Sequence, residues 1–108
     1  MITVRLLKTK AGDIYGFSAD SHGKGIVCAA VSILLQNTVN SVERLTDDHF
    51  ICEYAESGGH LMFEHTNLKN GEAARDASLL LNSAALGLYG IQDEYGNEIK
   101  IITEVSHD

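Results

Sequence analysis

Two side chains in this sequence have the types and spacing for covalent chemistry: Cys28 and, six positions before it, His22. A cysteine reacts as its thiolate, so a site that uses one must lower the thiol pKa and bring a base to it. Cys28 follows the bend His22-Gly-Lys-Gly25 and falls at or just inside the start of an apolar-periodic segment that reads as a helix. A thiol there feels the positive end of the helix dipole and unpaired backbone N–H groups, which favour the thiolate. Those N–H groups could also form an oxyanion hole for a tetrahedral intermediate. Fully extended, the stretch from His22 would span about 20 Å. Contact therefore needs the chain to turn back, which Gly23 and Gly25 allow. Position alone leaves a second reading open for each residue. Cys28 could be a small core residue among Val27, Ala29 and Ala30, and His22 an exposed loop histidine.

The other reactive or ligating residues assemble less well. Cys52 alternates with Phe50 and Tyr54 in a strand-like run, which is a packing position. No Cys-x-x-Cys pair suggests zinc, and two cysteines in a cytosolic chain are not expected to form a disulfide. His60 and His65 are an odd number of residues apart, so they should point to opposite faces of a strand. That makes them poor joint metal ligands, even with Glu64 between them. His49 and His107 read as surface residues, and Asn70-Gly71 as a turn before a helix. No glycine-rich nucleotide fingerprint follows a strand. Neither a metal nor a cofactor is expected.

The elements that must position these residues follow from hydrophobic period and turn chemistry. Residues 2–7 are rich in β-formers, and a turn over 8–13 with Gly12 leads into a second strand over 14–21. From Ile26 to about Leu45 the period changes: Val27, Val31, Leu34, Leu35, Thr38, Val42 and Leu45 form one stripe at helical spacing. Two short strands over 49–56 and 60–66 flank Ser57-Gly-Gly59, a hairpin signal, and 67–71 reads as loop. A second helix is expected over 72–88, ending where Gly87 and Gly90 weaken it, and residues 97–105 alternate as a last strand. The resulting order is ββαββαβ in a single domain over residues 1–108. This is an α+β two-layer sandwich, a mixed sheet with two helices packed on one face.

One string is far more specific than spacing. Gly16-Phe-Ser-Ala-Asp-Ser-His22 followed by Ile26-Val-Cys-Ala-Ala-Val-Ser32 resembles the ribosomal-processing cysteine protease family, Prp. That family's pattern is Gly-His-Ala, a loop, then Asp-Ile-Val-Cys-Ala-x-x-Ser, and its length and element order match the whole chain. The resemblance implies Cys28 as nucleophile and His22 as general base, with Ser32 the serine of the motif. Ser32 lies four residues after Cys28, so the two share a helix face. It would either help order the thiol or bond back to a helix carbonyl. The chain departs from the pattern in Ser21-His22-Gly23, in a shorter loop, and in Gly25 where the family has aspartate. Asp20, two before His22 on the same strand face, is the candidate substitute, with a solvent-exposed aspartate as the alternative.

The resemblance further implies an endopeptidase that removes the N-terminal extension of a large-subunit ribosomal protein precursor, and a homodimer. A non-catalytic, ribosome-associated binding or assembly factor with the same fold is the alternative that the departures motivate. Composition narrows the classes independently. Fifteen acidic against eight basic residues give a net charge of −7, which argues against direct nucleic-acid binding. No apolar run approaches the roughly 20 residues of a membrane span, and the N-terminus lacks a signal-peptide core. The expectation is a cytoplasmic protein with no membrane contact.

Overall fold

Alternation along the first strand sets the sidedness of the whole fold. We describe a computed structural model in which residues 1–20, 25–55 and 59–106 are described. In β1 (Ile2–Lys8), Ile2, Val4 and Leu6 are buried while Thr3 and Arg5 on the other face are half-buried. Gly12 takes φ 94°, which closes the turn into β2 (Ile14–Asp20), and the Thr9 N–H donates to the Asp13 carbonyl at 2.9 Å. Leu6 pairs with Phe17 and Val4 with Ala19, so Phe17 and Ala19 share the core face.

The sheet order is β3-β4-β2-β1-β5, with β3 (Phe50–Tyr54), β4 (His60–His65) and β5 (Ile99–Val105). β1 pairs parallel with β5, and the other pairs are antiparallel, which gives the expected mixed sheet. Phe63 of β4 stacks on Phe17 at 5.3 Å between ring centroids and meets Phe50 of β3 at 5.2 Å. These rings carry the core toward the β3 edge.

Helix α1 (Ile26–Leu45) buries Val27, Val31, Leu35, Thr38 and Val42 of the stripe read from the sequence, but Val39 joins them while Leu34 is half-buried and Leu45 is exposed. Its length of 20 residues and its apolarity match a membrane span after all, contrary to the expectation that no segment comes near one. The reason its apolar side chains are available for that count is different. One face fills the core, with Leu35 and Val42 fully buried, while Gln36, Asn37 and Asn40 and the apolar Ile26, Ile33 and Leu45 are exposed.

Two local readings are corrected. The segment after β4 is not all loop: α2 (Thr66–Lys69) is a single turn whose Leu68 reaches the core. His65 caps it. Its Nδ1 accepts from the Leu68 N–H at 3.2 Å, and its Nε2 donates to Asp48 Oδ2 at 2.9 Å, so a fully buried imidazole has both nitrogens satisfied. The last helix, α3 (Arg75–Tyr95), begins later than expected and runs on through Gly87 and Gly90. Each glycine costs a helix about 1 kcal/mol, but Leu88 is fully buried and Ile91 and Tyr95 pack on the core beyond them. Tertiary packing outweighs propensity here. Gly87 also lets α3 approach α1, because a Cβ there would lie 2.8 Å from a Leu34 methyl carbon.

Candidate active site

Cys28 is the third residue of α1, and the first α-helical backbone bond closes at the next residue, Ala29 N–H to Gly25 carbonyl at 3.1 Å. The N–H groups of the first turn up to Cys28 therefore precede the helical ladder, and no acidic side chain lies in that turn. Gly25 has φ 109°, a conformation L side chains rarely adopt. The position where the family pattern carries aspartate is one where this chain's backbone favours glycine.

The Cys28 side chain is half-buried and opens into a cleft of about 540 Å³, measured with its open mouth. Ser32 and Gln36 continue the wall along α1 at intervals of four residues. Tyr54 and Ala55, at the end of β3, form the opposite wall, and Ile2, Ala19 and Leu61 supply apolar floor. Cys28 and Ser32 are thus brought to one cleft. His22 lies outside the described residues, and its segment is bracketed by Asp20 at the end of β2 and Gly25 at the start of α1.

Asp20 is not simply solvated. The His60 Nδ1–H donates to Asp20 Oδ1 at 2.7 Å, and β2–β4 register sets these two residues directly opposite. Their neighbours Ala19 and Leu61 face the core, and His60 also lines the cleft into which Cys28 opens. Sequence reasoning weighed His60 only as a metal ligand. Nothing in the linear spacing of 40 residues signals this pairing; it depends on strand register.

His60 and His65 do point to opposite faces, as the odd spacing required. Among the described residues no group of three or more His, Cys, Asp and Glu is arranged to hold a metal. Cys52 packs against the core from β3. Burial pushes its thiol pKa up, the nearby Glu43 and Glu53 carboxylates push the same way, and a hydrogen bond from the Tyr54 hydroxyl opposes them. Tyr54 is itself raised, first by burial and then by that bond and the Glu43 charge.

The cleft places a thiol from the first turn of a helix beside a partly apolar, open-mouthed lining, an arrangement suited to acyl transfer. Comparison with known proteins points the same way. The sequence is 30% identical over 107 residues to the ribosomal processing cysteine protease Prp of Staphylococcus aureus, covering 94% of this chain and 97% of that protein. It is 29% identical over 84 residues to the Prp of Bacillus subtilis, covering 78% and 75%. The fold superposes on S. aureus Prp in complex with a covalently linked product peptide, with TM-score 0.85, 29% identity, and coverage of 96% of this chain and 100% of that one. S. aureus Prp in complex with a substrate peptide gives TM-score 0.84 at 27% identity, with the same coverage. The sequence profile of the family described as cysteine protease Prp matches residues 1–100, and the chain belongs to that family of cysteine proteases.

Proposed function

We propose that this protease removes the N-terminal extension of a large-subunit ribosomal protein precursor, using Cys28 as nucleophile and His22 as base. The observation that carries the reading is the Cys28 thiol in the first turn of α1, opening into a cleft that Ser32 also lines. The similarity to S. aureus Prp structures holding a substrate peptide and a covalently linked product peptide supports it.

His22 takes the Cys28 proton, and the thiolate adds to the scissile carbonyl. First-turn N–H groups of α1 stabilise the oxyanion. The intermediate collapses as the amine leaves with the proton from His22, which generates a thioester. Water, deprotonated by His22, then releases the acid product and the thiol. Ser32, one turn beyond Cys28, supports the thiol. Asp20, held by His60, supports the end of β2 from which the His22 segment departs. The family resemblance implies an extension that ends in aromatic residues, which the apolar Ile2, Ala19 and Leu61 of the cleft lining would accept. The chain acts in the cytoplasm as a homodimer without binding nucleic acid directly, and its net charge of −7 favours a basic precursor.

The test is cleavage of the source organism's own precursor by wild type, Cys28→Ala and His22→Ala, read by mass spectrometry. One defined cut that both substitutions abolish is the expected result. An intact precursor with folded wild-type protein would overturn the reading in favour of a ribosome-associated binder.

A further inference from the structure

The lining of the cleft extends beyond Cys28 along α1. Cys28, Ser32 and Gln36 form one stripe on α1, and Gln36 lies eight residues beyond the thiol. At 1.5 Å per residue that separates them by about 12 Å along the helix. An extended peptide advances about 3.3 Å per residue, so the stripe matches about four residues of substrate. Across from it stands Tyr54, the last residue of β3, an edge strand of the sheet. Gln36 is exposed and Tyr54 is 58% exposed, so both are reachable from the cleft mouth, the Tyr54 hydroxyl as an acceptor because it donates to Cys52. A primary amide both donates and accepts, which suits it to the N–H and C=O of an extended backbone. The catalytic role assigned to Cys28 uses neither residue.

We propose that Gln36, with Tyr54 across the cleft, holds the substrate backbone about four residues from the scissile bond and so sets the minimum length of peptide cut efficiently. The inference rests on the protease reading above. It makes Gln36 and Tyr54 specificity residues: they recognise an extended segment rather than a particular side chain, and they act mainly on KM.

The experiment uses ten-residue fluorogenic peptides spanning the precursor's cleavage junction, together with versions cut back to two residues on either side of it. Wild type is expected to prefer the full peptide over one of the shortened forms by about tenfold in kcat/KM, chiefly through KM. Gln36→Met keeps the length of the side chain but removes its hydrogen bonds. It should cut that preference to about twofold, and Tyr54→Phe should weaken it less, since the ring remains. Circular dichroism and the thermal midpoint check that both variants fold. Wild type that cuts full and shortened peptides equally well would overturn the inference. So would a Gln36→Met enzyme that keeps the wild-type preference, or one slowed equally on every peptide. No cleavage of the full peptide by wild type would instead sink the protease reading, and this inference with it, which is a separately visible result.

Discussion

Asp20 and His60 are bonded at 2.7 Å across β2 and β4, tying the residue that precedes the His22 segment to the first residue of β4. Register puts them opposite each other, and His60 also lines the cleft that holds Cys28. The bond is reinforced by charge only when His60 is protonated. The side chains are 41% exposed for His60 and 42% for Asp20, so solvent screens the interaction. We predict a coupling of about 0.5–1 kcal/mol or less in a double-mutant cycle of Asp20→Ala and His60→Ala, measured by urea unfolding. It should weaken as salt rises. A coupling that is zero at all salt concentrations would show that the contact contributes nothing to stability.

The two thiols should behave differently. Cys28 stands in the first turn of α1 and opens into the cleft. Cys52 is pushed toward the neutral thiol chiefly by burial, against the pull of the Tyr54 hydroxyl, with the weaker Glu43 and Glu53 charges adding to the push. With iodoacetamide at neutral pH, Cys28 should be alkylated at least about tenfold faster, as read by peptide mass mapping. Equal rates would contradict the assignment of Cys28 as the activated thiol.

The same shift predicts a direction for stability against pH. Cys52 in the folded chain keeps its proton where the unfolded chain has already lost it, so the folded state binds more protons in that window. Its effect on stability is absent below the unfolded thiol value, about 8.5, and grows as a loss when the pH rises past it. The raised Tyr54 adds to the loss above about pH 10. Cys52→Ala should therefore show a shallower fall in thermal midpoint than wild type through this alkaline range. Parallel curves for the two proteins would show that Cys52 has no part in it.

Two glycines should respond differently to a methyl group. At Gly16 in β2, a Cβ would fall inside contact distance of the Phe63 carbonyl oxygen, which the β2–β4 ladder holds in place. Gly16→Ala should cost about 3 kcal/mol or more, because backbone must move. At Gly87 the obstacle is a Leu34 methyl group at the end of a flexible side chain. Gly87→Ala also gains up to about 1 kcal/mol of helix propensity, so its net change should stay within about 1 kcal/mol of zero. Denaturant midpoints of the two variants would reverse this ranking if the close approach of α1 and α3 were the less forgiving contact.

The sequence by itself determined the elements whose signals are local. The 3.6-residue stripe placed α1 at Ile26–Leu45, period-two alternation located the strands to within one or two residues, and the Ile26-Val-Cys-Ala-Ala-Val-Ser32 string indicated the family. What failed locally did so where tertiary packing outweighs propensity. α3 crosses two glycines because Leu88, Ile91 and Tyr95 have core to reach, and residues 66–69 form a turn of helix because buried His65 caps it. Only the tertiary structure decided which distant residues meet. Strand register joins Asp20 to His60, and the tertiary fold brings Gln36 of α1 and Tyr54 of β3 to the one cleft that Cys28 lines. The physical reason is that period and capping act within a few residues, whereas register and crossing angle are set by the summed packing of the whole core.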